Sequence, residues 1–454
     1  MHDPRATIVA VATPPGRGGV GCLRLSGPAA ADVTRRLFRG GTDPQPGGPP
    51  CFGRFVGRDA RPLDHGYAVV FPEGRSFTGE LTSELWTHGS PAVLDELLAA
   101  AVAAGALLAD PGEFTYRALI HGRLDLTRAE AVRDLVEART AFQARVAFAQ
   151  AEGALARRLG PLGEELADWI ARGEAAVEFV EESETHLPSG RLGDAIAGMA
   201  RTCEGLLAGF RAGRVVRDGA RLAMVGLPNV GKSSLFNRLL DRDRAIVTPQ
   251  AGTTRDTLEE QLDLDGIPLR LIDTAGLREV ADEIEIEGVR RAERARAEAD
   301  LVLLVLDASR EPAPLELEAL ERARDATAGP HTVVALNKCD LPQAAAGKAG
   351  APGVLRVSAL TGEGLAELRS ALRSRLVGSG PLEDPLLTNR RHALALERVR
   401  EALDRARAAA EAGLSEELLL EDLREARRRL GEITGDVGLE ALYDRIFSTF
   451  CVGK

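Results

Sequence analysis

A chain of 454 residues, 44% hydrophobic and 28% charged, is too long for one ordinary core and has the balance of a soluble, multidomain protein. Its formal net charge of -11 excludes a broadly basic nucleic-acid-coating protein, although a local basic patch can sit on an acidic chain. The five cysteines (Cys22, Cys51, Cys203, Cys339 and Cys451) are odd in number, widely spaced and without a CxxC pair. That usage speaks against a disulfide framework or a zinc cluster and fits a reducing compartment.

The opening residues, Met1 to Pro15, lack a basic start followed by an apolar core, so no signal peptide is expected. From Ala6 to about Leu124, short β-type runs alternate with Gly and Pro, most densely from Gly40 to Pro50. This pattern predicts an α+β domain with a long loop and one helix, Pro91 to Ala106. From about Thr127 the periodicity is helical. Val132, Leu135, Phe142 and Val146 share one stripe, and Leu155, Leu159, Leu162, Leu166 and Ile170 continue at three- and four-residue steps. The helical texture breaks at His186 to Gly190, resumes, and stops near Gly219.

The middle third alternates strands and helices, which predicts a doubly wound α/β sheet. Its longest apolar run, Leu301 to Leu306, is far too short to span a bilayer, so a cytoplasmic protein without a membrane segment is expected. After the Gly378–Pro385 linker, helical stripes return at Leu396, Val399 and Leu403, and then at Leu419, Leu423, Leu430 and Ile433. Helical segments on both sides of one α/β unit predict a multidomain α+β and α/β protein. In it the α/β domain, 218–376, is inserted into a helical domain, 123–217 and 377–454, behind an N-terminal domain, 1–122.

The strongest chemical pattern is Gly226-Leu-Pro-Asn229-Val230-Gly231-Lys232-Ser233-Ser234, between the strand candidate Arg221–Val225 and the helix candidate Ser233–Leu240. Glycines turn the backbone so that its amides face phosphate oxygens, and the helix adds its positive end. Lys232 is placed to reach the β- and γ-phosphates, and the Ser233 hydroxyl to ligate Mg²⁺. Further motifs follow in the order a GTPase requires. The Gly252-Thr253-Thr254-Arg255-Asp256 loop carries Thr254, a hydroxyl able to close over Mg²⁺ and the γ-phosphate. Asp273-Thr274-Ala275-Gly276 follows the strand candidate Pro268–Ile272, with Asp273 where a carboxylate backs the metal's water shell. Asn337-Lys338-Cys339-Asp340 follows Thr332–Leu336, and there Asp340 can accept from both N–H groups on the guanine edge. Ser358-Ala359-Leu360 follows Val354–Val357 and offers amides behind the base. GTP rather than ATP is the expected nucleotide. Small GTPases hold the attacking water with a Gln after this Gly, but here Leu277 can neither donate nor accept. The acidic stretch Asp282-Glu283-Ile284-Glu285 and a cation near Asn229 are the candidates for that work.

Beyond these motifs the sequence resembles the family of tRNA-modification GTPases called MnmE or TrmE. The likeness runs through Thr13–Gly27, Pro111–Val132, Val247–Asp256, Asp273–Glu279 and the terminal Phe450–Lys454. The resemblance implies an N-terminal domain that binds folate and mediates homodimerisation, holding a 5-formyl or methylene form of tetrahydrofolate as the one-carbon donor. Its folate contacts map onto Arg24, Glu84, Arg123 and Lys454. It also implies a potassium ion held by Asn229, Thr248, Gln250 and Thr253, acting as an arginine finger when two GTPase domains meet, with Glu285 positioning the water. The implied reaction, with the flavoprotein MnmG as partner, places an aminomethyl-type group on carbon five of the wobble uridine of certain tRNAs. Cys451 matches the family's terminal cysteine and is a catalytic candidate. The sequence departs from the family at Leu81, where Asp is common, at Gln250, where an aliphatic residue is usual, and at Arg123, where some members have Lys. A ribosome-assembly GTPase, the reading from another class, calls for a GXXG-bearing RNA module or a basic tail, and neither is present.

Overall fold

The structure, a computed structural model, describes residues 3, 5–178, 189–242, 261–272, 299–324, 331–342, 353–378, 386–436, 443 and 446–453. The N-terminal segment runs β1 (Ile8–Val11), β2 (Gly18–Ser26), α1 (Ala30–Leu37), β3 (Phe38–Gly40), β4 (Cys51–Val56), β5 (Pro62–Phe71) and β6 (Thr82–Gly89). It continues with α2 (Pro91–Ala103), β7 (Leu107–Leu108) and α3 (Glu113–Ile120). Helices α4 (Leu126–Glu137), α5 (Ala141–Ala151), α6 (Ala154–Glu178), α7 (Ser189–Ala208) and α8 (Phe210–Asp218) follow. The α/β segment comprises β8 (Ala220–Val225), α9 (Lys232–Arg242), β9 (Gln261–Leu264), β10 (Ile267–Ile272) and β11 (Leu301–Asp307). It closes with α10 (Pro314–Arg324), β12 (His331–Asn337), β13 (Val354–Arg356) and α11 (Leu365–Val377), before α12 (Arg390–Glu411) and α13 (Glu416–Thr434). Among the described residues no helix is long and apolar enough to cross a membrane.

The chain divides into two compact units. The first contains Met1–Val136, Ala147–Met199 and Arg398–Lys454. Its sheet has the order β3-β4-β5-β6-β2-β1-β7, antiparallel except for the β1–β7 edge. One face is filled from α1 and α2: Leu23, Leu25, Ala68 and Leu85 from the strands meet Val33, Leu37, Leu97 and Ala101 from the helices. The other face is polar and aromatic, because alternate residues of each strand point away from the helices. In the same unit α6 packs against α13, with Leu159, Leu162, Leu166 and Ile170 buried on one helix and Leu419, Leu423, Leu430 and Ile433 on the other. The stripes predicted on these helices are therefore their buried faces.

Two local expectations change. The sequence pattern predicts one helix in the N-terminal domain, whereas the structure adds α1 and α3. Helix α1 buries Ala30, Ala31, Val33, Thr34 and Leu37 on one face, but at 8 residues it is shorter than the stretch over which a helical period is read. The stripe through Val132, Leu135, Phe142 and Val146 predicts one continuous helical run, but the chain breaks between α4 and α5. Thr140 and Gln143 cause the break. The Thr140 hydroxyl accepts from the Gln143 amide at 3.1 Å, while the Gln143 side chain accepts from the Arg139 and Thr140 amides at 2.8 and 3.2 Å, a capping box that starts a new helix.

The second unit, Glu137–Val146 with Ala200–Glu397, carries the sheet β13-β12-β11-β8-β10-β9. Strands β10, β8, β11, β12 and β13 run parallel and β9 closes the edge as the antiparallel arm of a hairpin. All seven residues of β11 are buried, as befits a central parallel strand covered on both faces. Within this unit Gln143 donates to the carbonyls of Val216 and Arg217 at 2.8 and 2.9 Å, and Thr140 donates to that of Gly266 at 2.7 Å.

In the first unit Arg117 is 1% exposed and holds three parts of the domain at once. Its guanidinium donates to the Ala6 carbonyl at 2.7 Å and pairs with Glu80 at 3.1 Å and Glu113 at 3.0 Å. Glu80 also accepts from the Ser26 hydroxyl at 2.6 Å. Truncation would leave buried carboxylates without their cation. Arg117→Met is expected to destabilise the N-terminal domain by about 3–5 kcal/mol, read as a lower urea midpoint, whereas Arg35→Met on the exposed face of α1 changes it little.

Candidate functional sites

The parallel strands β8, β11, β12 and β13 end on one edge of their sheet, at Val225, Asp307, Asn337 and Arg356. Strand β8 lies between β10 and β11, so consecutive connections leave it in opposite directions, which opens a crevice at its carboxyl end. The loop Gly226–Gly231 fills this place and leads into α9. A Cβ on Gly226 would lie 2.3 Å from the Val305 carbonyl oxygen, so only glycine lets the loop pass this close to β11. Lys232 folds back over the loop and donates to the carbonyls of Gly226 and Leu227 at 3.0 and 2.9 Å. Ser233 is half-buried and Ser234 exposed on the first turn of α9.

The end of β12 grips this loop. Asn337, 1% exposed, donates from its side chain to the Val230 carbonyl at 2.9 Å and accepts from the Ala359 amide at 3.0 Å. Lys338 donates to the Asn229 carbonyl at 2.7 Å and pairs with Asp307 at 2.7 Å. Burial alone would lift the Asp307 carboxyl, but donors from Lys338 and Ser309 hold it below the usual carboxylate range. Asp340 is exposed, with one oxygen accepting from the Ser358 hydroxyl at 2.5 Å, and Leu360 is exposed beyond it. The structure thus brings together Asn229–Ser234, Asn337, Lys338, Asp340 and Ser358–Leu360. Asn337 and the Ala359 amide face each other, and so hold the site's walls together. Sequence reasoning missed Asp307, although a carboxylate ending the apolar run Leu301–Leu306 is a visible signal.

A separate cluster lies on the open face of the first unit's sheet. Arg24 and Glu84 are cross-strand partners on β2 and β6, paired at 2.8 Å, and the Trp86 indole donates to the second Glu84 oxygen at 3.2 Å. The C-terminal tail reaches the same place. Phe447 and Phe450 are buried, and the Gly453 carbonyl lies 3.5 Å from an Arg24 nitrogen. Gly453 has φ +94 and passes so close to β1 that a Cβ would sit 2.4 Å from the Val11 carbonyl oxygen. Cys451 is exposed beside this seat, its carbonyl accepting from the Gly112 amide at 3.5 Å. Cys22, buried between Arg24 and the aromatic row, has its thiol pushed up to about 12 by burial and by the Glu84 charge, against Arg24. It is therefore neutral at any physiological pH. Arg123 is exposed, lies beside Gly79, and its side chain makes no hydrogen bond or ion pair among the described residues. The predicted residues Thr248, Gln250, Thr253, Thr254, Asp273, Thr274, Ala275, Gly276, Leu277, Glu285 and Lys454 lie outside the described residues.

A glycine loop between strand and helix at a sheet's switch point, gripped by an Asn-Lys-x-Asp strand end, defines a P-loop GTP-binding protein of Ras-like type. Comparison with known proteins narrows this. Residues 126–451 match the MnmE helical domain, and residues 7–123 match the GTP-binding protein TrmE N-terminus. The tRNA modification GTPase MnmE of Koribacter versatilis is 43% identical over 454 residues, covering 99% of each chain. That of Alkalilimnicola ehrlichii is 44% identical over 452 residues, covering 99% of this chain and 100% of its own. That of Aquifex aeolicus is 41% identical with the same coverage. The chain belongs to the MnmE family of tRNA modification GTPases, and is a GTP hydrolase acting in tRNA modification.

The close approach at Gly226 gives a direct check on the phosphate loop. Gly226→Ala must push the loop off the Val305 carbonyl, and GDP affinity measured by fluorescent-nucleotide titration is expected to fall at least about tenfold, roughly 1.4 kcal/mol.

Proposed function

We propose that the protein is a potassium-stimulated GTPase, activated when two of its GTPase domains meet in a homodimer. With the flavoprotein MnmG it would install an aminomethyl or carboxymethylaminomethyl group on carbon five of the wobble uridine of certain tRNAs. The carbon would come from a tetrahydrofolate derivative, in a cytoplasmic reaction. The observation that carries this reading is that one chain holds a glycine loop gripped by Lys232 and also seats its C-terminal segment, up to Gly453, beside Arg24. A GTPase that only switches has no use for the second feature.

The nucleotide side assigns GTP and GDP phosphates to the amides of Asn229–Ser234 and to Lys232. Ser233 and Thr254 would ligate Mg²⁺, with Asp273 behind. The residues present fit a second, monovalent cation. Asn229 stands in the left-handed region, φ +62, with its carbonyl held by Lys338, and its side-chain amide makes no hydrogen bond among the described residues. That amide oxygen, with oxygens of Thr248, Gln250 and Thr253, is the donor set of a potassium site. The ion would neutralise charge on the transferring phosphoryl group, and Glu285 would orient the water. On the folate side, a carboxylate such as Glu84 can pair the amide–amidine edge of a pterin. Arg24, Arg123 and Lys454 would supply further polar contacts to the folate.

Replacing sodium by potassium at fixed ionic strength is expected to raise GTP turnover severalfold. Glu285→Ala should keep nucleotide affinity within about threefold while turnover falls about 100-fold. Equal turnover in the two salts would remove the potassium assignment. Deleting Cys451–Lys454 is expected to leave GTP hydrolysis unchanged and to abolish wobble-uridine modification, measured by nucleoside mass spectrometry of tRNA. Normal modification in that variant would refute the role given to the tail.

A further inference from the structure

The open face of the seven-stranded sheet carries a second arrangement beside Arg24 and Glu84. Register places Phe52, Tyr67, Trp86 and Cys22 in one row across β4, β5, β6 and β2. Val69, Glu84 and Arg24 form the neighbouring row on one side. On the other side stand His65 and His88. A cavity of about 970 Å³ opens over this face, lined among others by Val20, Phe52, His65, Tyr67, Trp86 and His88. Trp86 joins its two ends: the indole N–H donates to Glu84 at 3.2 Å, and its ring forms the cavity wall next to His88.

His88 is oriented unusually well for a surface histidine. Its Nδ1 lies 2.8 Å from Asp64 Oδ1, its backbone amide donates to Asp64 Oδ2 at 2.8 Å, and the His65 amide donates to Oδ1 at 2.8 Å. Asp64 is 11% exposed while the imidazole is 73% exposed. Burial pulls the Asp64 carboxyl up, but these donors hold it below the usual carboxylate range, so it is ionised and can only accept. The proton of the pair therefore sits on Nδ1, which leaves Nε2 as the ring nitrogen turned away from Asp64. Among the described residues Nε2 has no hydrogen-bond partner. A carboxylate fixing one imidazole nitrogen and leaving the other open to a cavity is an acid–base arrangement. An ordinary surface ion pair has no need of a carboxylate locked by three donors.

We propose that His88, held by Asp64, is the acid–base residue of this face, protonating the nitrogen that releases the one-carbon unit of a methylene-tetrahydrofolate. The inference rests on the folate reading given above. Glu84 and His88 are separated by roughly 13 Å of strand, about the length over which a pterin edge on Glu84 lays the ring system along Trp86 toward His88. In the step, the bond between the carbon and the anilino nitrogen breaks, and its electron pair stays on that nitrogen. The nitrogen takes the proton of Nε2, while the lone pair of the pterin-ring nitrogen closes onto the carbon. Water then adds to the carbon and returns a proton to Nε2. The bond from the carbon to the pterin-ring nitrogen breaks with its electron pair left on that nitrogen, which takes the hydroxyl proton as the carbon departs as formaldehyde. No electrons leave the system, so no oxidant is required. Asp64 acts as a positioning residue through the ring it holds.

The full-length protein is titrated with 5-formyl-tetrahydrofolate by calorimetry, and exchange of labelled formaldehyde into methylene-tetrahydrofolate is followed with the same samples. The wild-type chain is expected to bind the formyl compound and accelerate exchange. His88→Asn should bind it within about threefold of wild type yet lose about 100-fold in exchange rate. His88→Ala should regain at least about tenfold when imidazole is added, which a structural role for the ring would not produce. Asp64→Asn should retain binding and lose exchange, with Asp64→Glu restoring part of it. Undiminished exchange in His88→Asn overturns the proposal. So does its loss of formyl-folate binding, which would make the ring a ligand contact. Failure of the wild-type chain to bind the formyl compound removes the folate reading itself, a distinct result.

Discussion

The nucleotide-binding unit depends on one grip: the end of β12 holds two consecutive carbonyls of the phosphate loop. Asn337 takes the Val230 carbonyl and Lys338 takes that of Asn229, at 2.9 and 2.7 Å. A loop aimed at phosphates must turn its amides outward, which leaves carbonyls facing the protein and in need of donors. The strand end that carries Asn337-Lys338-Cys339-Asp340 supplies them. Asp307 at the end of β11 neutralises Lys338, and the Ala359 amide satisfies the second half of Asn337. The Asn-Lys-x-Asp strand end and the glycine loop are thereby one connected arrangement rather than two loops that happen to be close. A change at Asn337 or Asp307 would reach the Gly226–Gly231 loop through these contacts.

The first unit solves a different problem. Its antiparallel sheet has a helix-covered face and an open face, and the open one carries aromatics, histidines and an Arg–Glu pair instead of a scatter of solubilising charge. Such a face is costly in water unless something occupies it. The C-terminal tail covers one end, with Phe447 and Phe450 buried and Gly453 against β1. Its cavity lies beyond that tail, over the row that runs from Phe52 to Trp86. The buried network of Arg117, Glu80 and Glu113 keeps β1, α3 and the loop before β6 in fixed register, so Ser26 and Arg24 on β2 are presented in one direction.

How much of this was legible in the sequence depended on whether the cause was local. The apolar stripes of α6 and α13 follow from periodicity, while the strands β8, β10, β11, β12 and β13 follow from short apolar runs, continuous where a strand is buried on both faces. The phosphate loop and Asp340 were legible because their chemistry is written in consecutive residues. The helix break at Thr140 was also written locally, as Thr and Gln at capping-box spacing, but the apolar stripe running across it masked the signal. Arg117 was not legible at all. A buried arginine is recognisable only when Ala6, Glu80 and Glu113, distant in sequence, are brought around it.

The terminal Phe450–Lys454 segment makes the same point from the other direction. By position it is a short terminal segment of the kind that frays, and only family resemblance singled it out. The structure supplies the missing physics: one aromatic anchor before it, Phe447, one at its start, Phe450, and a glycine whose left-handed backbone permits contact with β1. Once Phe447 and Phe450 are buried, the ordering cost of the last residues is largely met, and a carbonyl can be held near Arg24 by a 3.5 Å contact. The exposed Cys451 is then fixed in place by its neighbours on both sides, while its buried counterpart Cys22 is kept protonated. Position, rather than intrinsic reactivity of the residue type, separates the thiol available for chemistry from the one that packs.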